Sequence, residues 1–238
     1  MGVTIRLVQV STQTLDLLQR DDLLIDVFFE MEYVTDIEDI EQSVDSISHP
    51  AHRSKYDWRS LGEQFLEDWE LPELDLHKYF TELTFLLAGC APDYPDYGPD
   101  YSEYEGQSWD QPEIKDLEPQ GTGMLPFLVI PDSQWDGRPL VNAIFAGTTF
   151  EGGGDESPCA WYLLPDEVGQ LLDGLIELGE TGFQERYRRE SQRSQPCPWI
   201  DWSEEEMLQW LTDYYNDMVH YFQDATRNKK AILVDLSV

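Results

Sequence analysis

The sequence predicts an α+β protein with a mixed sheet, several packed helices, and the N- and C-terminal strands in the core. Val3, Ile5 and Leu7 alternate with polar residues, which is typical of a strand with one buried face. The apolar run from Ala231 to Val238 predicts a final strand. Helical apolar stripes occupy much of the chain between them, and strands at both ends with helices between favour one continuous core.

Caps and apolar spacing predict the helices of the first part of the chain. Ser11 or Thr12 caps the first helix, and Asp21 precedes a second one. Two further stripes predict helices that end before Pro72 and at Gly89. The first stripe is Leu61, Phe65, Leu66 and Trp69, and the second is Leu76, Tyr79, Phe80, Leu83, Leu86 and Leu87.

The second part of the chain predicts two buried strands and two helices. The strands are the apolar runs Met124–Ile130 and Leu140–Phe145. A helix starts with Pro165 in its first turn, and Gly179 ends it. Ser203 opens the last helix with a capping box. The apolar faces are Val168, Leu171, Leu172, Leu175 and Ile176 in the first helix, and Met207, Leu211, Tyr214, Met218 and Phe222 in the second.

Residues 91–123 differ in composition from the rest of the chain. They hold nine carboxylates against one lysine, and five prolines interrupt any regular element. This composition predicts an acidic Tyr- and Pro-rich insertion within a single domain of residues 1–238.

The formal net charge of −33 restricts the classes of partner. A strongly negative surface repels nucleic-acid phosphates and anionic lipids and attracts basic proteins. We therefore expect no direct nucleic-acid binding and no membrane association. Adaptation to high salt, or solubility alone, explains the same charge equally well. An odd number of cysteines, Cys90, Cys159 and Cys197, and the absence of a signal sequence favour the reducing cytoplasm.

Tyrosines and acids interleave inside the insertion in a pattern that suits recognition of a basic protein. Tyrosine supplies rigid contact area, and carboxylates steer an oppositely charged partner. A solvated, mobile insertion without a partner explains the same segment. The candidate partner-binding residues are Tyr94, Asp96, Tyr97, Asp100, Tyr101, Glu103, Tyr104 and Glu105.

Four arginines cluster in an otherwise acidic chain: Arg186, Arg188, Arg189 and Arg193. They predict either a site for an anion or intramolecular contacts that neutralise the protein's own carboxylates.

No motif assigns a catalytic residue, a metal or a cofactor. His49 and His52 are interrupted by Pro50, and no cysteine or histidine cluster completes a site around them or around His77. The neighbourhoods of the cysteines lack the positive charge that activates a thiol. With 48 acidic residues, no carboxylate pair stands out for acid–base chemistry. We expect no metal and no cofactor.

Several segments, taken in order, resemble the YfbM-like bacterial family, domain of unknown function 1877. They begin with Met1-Gly2 and the first strand, followed by Val10-Ser11 at a helix start. The others are Leu83–Gly89, Leu140–Gly147, Trp161–Val168 and Trp202–Leu236. The resemblance implies an α+β cytoplasmic bacterial protein without an established activity. Thr84 stands where the family tends to have His, and Phe80 where it has Trp, so chemistry that depends on that histidine does not transfer.

Three functional hypotheses remain open. The first is a non-enzymatic acidic module that binds a basic protein, with an immunity-type inhibitor or a nucleic-acid mimic as sharper forms. The second is a small-molecule-binding protein or hydrolytic enzyme with a carboxylate and aromatic pocket. The third is a housekeeping protein whose acidity is adaptation to high salt.

Overall fold

An antiparallel sheet of five strands lies between two groups of helices in the computed structural model, which describes residues 4–21, 23–33, 55–88, 140, 142–145, 148–150, 160–192, 202 and 205–237. The strands are β1 (Thr4–Val10), β2 (Glu73–Asp75), β3 (Thr148–Thr149), β4 (Ala160–Leu163) and β5 (Ala231–Ser237). Their order across the sheet is β2-β1-β5-β4-β3.

The two terminal strands form the centre of this sheet. β1 and β5 pair antiparallel along their whole length, from Thr4 opposite Ser237 to Val10 opposite Ala231. This confirms the α+β class and the prediction that both terminal strands belong to the core. Every described pairing is antiparallel, a simpler arrangement than the mixed sheet expected from the sequence.

Seven α-helices are described, together with 3₁₀ turns at Met31–Tyr33 and His77–Tyr79. The helices are α1 (Thr12–Arg20), α2 (Leu23–Glu30), α3 (Trp58–Trp69), α4 (Phe80–Ala88), α5 (Asn142–Phe145), α6 (Pro165–Ser191) and α7 (Glu205–Arg227). Ser11 caps α1 as predicted, because its side chain accepts a hydrogen bond from the Thr14 backbone N–H. Pro165 occupies the first turn of α6, also as predicted.

Strand alternation divides the core between the two faces of the sheet. Leu7 and Val234 belong to a cluster with α4, α6 and α7, whereas Val8 and Leu233 belong to a second cluster with α1, α2 and α3. Aromatic side chains fill much of the second cluster, in which Phe28 stacks on Trp69 at 5.1 Å.

Three expectations about local structure are wrong. Leu140–Phe145 is not a strand: Ala143 N–H donates to the Leu140 carbonyl at 3.0 Å, and Asn142–Phe145 is helical. A short apolar run fits a buried helix as well as a buried strand. Ile176 is 55% exposed, since it lies beyond the edge of the buried stripe of α6. In α7 the buried tyrosines are Tyr215 and Tyr221, whereas Tyr214 is only partly buried beside the core.

Two boundaries also differ from the predicted ones. The helix that ends at Gly89 in the prediction starts only at Phe80, because β2 and a 3₁₀ turn precede it. Gly179 breaks α6 as expected, with φ 64° and ψ 162°, but the helix resumes after it and runs to Ser191. Met124–Ile130, the Ser203 cap and residues 91–123 lie outside the described residues.

No helix in the described part of the chain is both long enough and apolar enough to cross a bilayer.

Candidate functional site

A groove lies between β2, the turn that follows it, and one flank of α7. It encloses about 590 Å³ and is open along one side. Four carboxylates and four ring side chains dominate its lining, and no Lys or Arg is among the lining residues. The lining is Glu73, Leu74, Asp75, His77, Tyr79, Trp210, Asp213, Tyr214 and Asp217. We call this feature the acidic groove.

The β2 side of the groove is shaped by the side chain of Asp75. One of its oxygens accepts the His77 backbone N–H at 2.6 Å, and the other lies 3.1 Å from His77 Nδ1. Such a local bond from an Asp side chain to the backbone two residues on holds a tight turn. The turn also requires the uncommon φ of 46° at His77, and it brings Tyr79 into the groove.

The residues on the α7 side of the groove lie together because of their spacing along the helix. Trp210, Asp213, Tyr214 and Asp217 are three or four positions apart, so they share one flank of the helix. The neighbouring ridge of α7 packs into the core, and it anchors this flank against the sheet. Asp213 is braced along the helix by Gln209, whose Nε2 donates to it at 2.8 Å.

Three aromatic rings form a continuous wall of the groove. The ring centres of Tyr79 and Tyr214 are 5.4 Å apart, and those of Tyr79 and Trp210 are 6.3 Å apart. The rings are tilted by 49° and 45° rather than stacked in parallel. Trp210 is 41% exposed, so much of the indole faces solvent beside the carboxylates.

The electrostatic environment of the groove is negative. Burial raises the pKa of Tyr214, and Tyr79, Asp75 and Asp217 raise it further. Just behind the lining, burial raises the pKa of Tyr221 well above its ordinary value, and Glu73 adds to this shift. The Tyr221 hydroxyl is buried without a hydrogen-bond partner in the described part of the chain. Both phenols therefore stay protonated at neutral pH while the surroundings favour a cation.

Other charged clusters contain their own cations. Arg6 lies 2.6 Å from Glu32 and 3.1 Å from Asp235, with its guanidinium 5.2 Å from the centre of the Trp69 ring. The two carboxylates of this cluster therefore share one guanidinium of the protein itself.

A second internally paired carboxylate lies beside the start of α2. Buried Asp21 accepts hydrogen bonds from Lys55 and from the Tyr56 hydroxyl at 2.7 Å. The acidic groove differs from both clusters, because no Lys or Arg whose side chain is described lies in salt-bridge range of its four carboxylates.

The predicted partner-binding residues Tyr94, Asp96, Tyr97, Asp100, Tyr101, Glu103, Tyr104 and Glu105 lie outside the described residues. Of the arginine cluster, Arg193 also lies outside them, while Arg188 and Arg189 are exposed on α6. Arg188 donates to Gln184 at 3.0 Å along the same helix.

Arg186 has a different environment from its neighbours in sequence. It is buried, and its Nη1 donates at 2.9 Å to the carbonyls of both Leu86 and Leu87 at the end of α4. A cation at this position complements the unpaired carbonyls and the negative end of a helix. An anion-binding or charge-neutralising role for the four arginines stays a prediction.

The sequence analysis did not predict a site at the acidic groove, although it assigned Tyr79 and Tyr214 to apolar helix stripes. The apolar stripe of α7 explained the pattern of this helix. The polar flank beside the stripe, where Trp210 lies among acidic residues, was therefore not predicted as a site. An exposed tryptophan next to a helical row of carboxylates was the available signal. The contribution of β2 had no such signal, since Glu73–Asp75 is a strand of three residues.

The described residues contain no arrangement that resembles a metal site. No group of three or more His, Cys, Asp or Glu side chains within the described ranges is arranged to hold a metal ion. His49, His52 and the three cysteines lie outside these ranges. The expectation of no metal stays a prediction.

The match to a family model covers mainly the second half of the chain. Residues 121–234 match the model of a family described as "Domain of unknown function (DUF1877)". The resemblance expected from the sequence is confirmed over this range. It stays a prediction for Leu83–Gly89, where buried Thr84 donates to the Phe80 carbonyl at 2.6 Å and so satisfies its hydroxyl within the helix.

The structure of YfbM from Escherichia coli, a protein of unknown function, aligns with 98% of this chain and 99% of its own. The sequence identity is 11% and the TM-score 0.47, and a likeness at this level carries no argument about function. No curated protein matches the chain.

Proposed function

We propose that this chain, a YfbM-like DUF1877 protein over residues 121–234, is a non-enzymatic cytoplasmic module that binds a basic protein. The observation that supports this function best is the acidic groove, which combines four carboxylates with an exposed aromatic wall and contains no Lys or Arg. Aromatic residues and complementary charge are the features that protein-binding surfaces use for contact area and for steering.

The net charge acts in the same direction as the groove. An excess of 33 negative charges attracts a basic partner over long range and repels nucleic acid, anionic membranes and a second copy of the chain. Such attraction mainly raises the association rate, and it is screened over about 10 Å at 0.1 M salt. Binding should therefore weaken as salt increases.

The acidic insertion at residues 91–123 is proposed as a second contact surface. It supplies nine carboxylates and four tyrosines, and its contribution is separable from that of the groove by deletion. An inhibitor of a basic toxin is the sharper form of this function, because such a complex needs both steering and a close aromatic contact.

The test is affinity capture from the native host lysate at low and moderate salt, followed by identification of the eluted proteins. We expect one basic protein at near-stoichiometric amount, and the purified pair should lose affinity as salt increases. Tight binding that is unchanged between low and high salt would contradict the proposal, as would bait that retains no basic protein at either salt.

Binding of a small cationic molecule is the second candidate function. The groove volume of about 590 Å³ falls in the range of small-molecule sites. Its open side favours the protein partner, because small-ligand sites bury most of their ligand. Thermal unfolding with and without diamines and choline separates the two: a rise in Tm with a small amine and no basic protein in the capture experiment would favour the second candidate.

A further inference from the structure

We infer that the rings of Tyr79, Trp210 and Tyr214, with the carboxylates beside them, form a pocket for the ammonium group of a lysine side chain. The lysine is presented by the basic partner, so this inference rests on the proposed function and adds its recognition site. Nothing in the family description assigns a site to these residues.

The carboxylates of the groove have no Lys or Arg partner among the residues whose side chains the structure describes. Glu73, Asp213 and Asp217 have no Lys or Arg within salt-bridge range among these residues, and Asp75 contacts only the His77 ring in that range. The Arg6 and Asp21 clusters, by contrast, contain their own cation. In those two clusters the carboxylates already interact with a cation of the protein. In the groove, a positively charged ligand would supply this attraction.

The aromatic wall adds a second, independent preference for a cation. An ammonium is attracted to the faces of aromatic rings, most strongly to Trp. Trp210 is one of the three large apolar side chains that are exposed in the described part of the chain, and the other two, Leu164 and Ile176, are aliphatic. It stands three and seven positions before Asp213 and Asp217 on one helix, so ring and carboxylates meet on the same surface.

The ring geometry favours lysine over arginine. A guanidinium binds best when stacked parallel to a ring and forked against one carboxylate. Here neighbouring rings are tilted by 45° and 49°, which suits a compact charge in the corner between them. The apolar stem of lysine can cover the rings while its ammonium reaches the carboxylates.

The experiment uses short peptides of glycine, serine and lysine, with acetyl-lysine and arginine versions, titrated into the full chain at low salt. We expect the lysine peptide to bind at least about 10-fold more tightly than the neutral acetylated peptide, and more tightly than the arginine peptide. Equal binding of the acetylated peptide, or tighter binding of the arginine peptide, would overturn the inference.

Two variants locate the contact. Trp210→Ala should weaken lysine-peptide binding by about 3-fold to 30-fold. Ile176→Ala removes an exposed apolar side chain of α6 away from the groove, and it should stay within about 2-fold of the unchanged chain. Equal effects of the two variants would refute the assignment.

An NMR measurement on the unchanged chain does not depend on whether a variant folds. The indole N–H resonance of Trp210, identified by its absence from Trp210→Ala, should shift when the lysine peptide is added to the unchanged chain. An unmoved resonance at saturating peptide would exclude the pocket.

Failure of the pocket can be distinguished from failure of the proposed function. If the captured basic protein binds Trp210→Ala as tightly as the unchanged chain, the pocket assignment fails while the proposed function stands. If no basic protein or peptide binds at all, the function itself fails.

Discussion

Replacement of Tyr215 by Phe tests how the break in α6 is held. The Tyr215 hydroxyl donates a hydrogen bond to the Leu175 carbonyl and interacts with the Gly179 backbone N–H. In an uninterrupted helix these two backbone groups would bond to each other, so the hydroxyl is inserted into the helical ladder at the kink. Its ring stays in place through stacking on Phe183 at 4.6 Å.

The expected loss of stability follows from this arrangement. Tyr215→Phe keeps the stacked ring but leaves a buried carbonyl without its donor, which costs about 1–3 kcal/mol. The stability should also depend on alkaline pH, because burial raises the pKa of Tyr215 to about 12. The folded state keeps this proton longer than the unfolded state does, so the contribution is complete below pH 10 and declines as the pH rises towards 12. A shift of this size corresponds to about 3 kcal/mol.

The assay is urea unfolding of Tyr215→Phe and of the unchanged chain from about pH 8 to about pH 11. The variant should be less stable at the lower pH, and the difference should shrink as the pH rises. Tyr162→Phe, which removes the hydroxyl of a half-buried tyrosine on β4, is the matched control. A variant as stable as the unchanged chain at pH 8, or a difference that does not change with pH, would refute the reasoning.

Two further predictions concern the backbone of α6 and its contact with α4. Gly179→Ala should destabilise the protein by about 1–3 kcal/mol, because φ 64° with ψ 162° is a backbone region open only to glycine. Gly169 lies in the same helix with open space around it, so Gly169→Ala should stabilise the protein by about 0.5–1 kcal/mol. Equal Tm shifts would contradict this pair. Arg186→Met should lower the free energy of unfolding by about 3 kcal/mol or more in urea, since two buried carbonyls lose a charged donor. The exposed Arg188→Met should change it by less than about 0.5 kcal/mol, and a comparable loss in both would refute the role of the buried arginine.

The elements that the sequence predicted well are those with a strong local signal. The strand at β1, the Ser11 cap and the stripe of α3 each depend on neighbouring residues, and the structure reproduces all three. The single buried face expected for β1 is wrong, because helices cover both sides of the sheet: Leu7 packs on one side and Val8 on the other. The strand predicted for Leu140–Phe145 was wrong because Leu140, Ala143 and Ile144 are all buried, and a short run buried in this way lacks the periodicity that separates a helix from a strand.

The acidic groove needed tertiary information. Asp75 and Asp213 are far apart in sequence, and they line one surface only because the edge strand β2 pairs with β1 beside α7. Each side chain alone matches an ordinary solvated residue of a strongly acidic chain. Only their convergence with the exposed ring of Trp210 distinguishes them from the other carboxylates.

The measurement that tests the groove most directly compares two doubly neutralised variants in calorimetric titration with the lysine peptide. Asp213→Asn with Asp217→Asn removes two charges from the groove, and Asp173→Asn with Glu185→Gln removes two exposed charges from α6. At about 0.2–1 kcal/mol for each exposed pair, the groove variant should bind about 2-fold to 30-fold more weakly, with a smaller dependence on salt. The α6 variant should bind as the unchanged chain does. Equal affinities of the two variants would contradict the claim that the groove is where this protein receives a cationic partner.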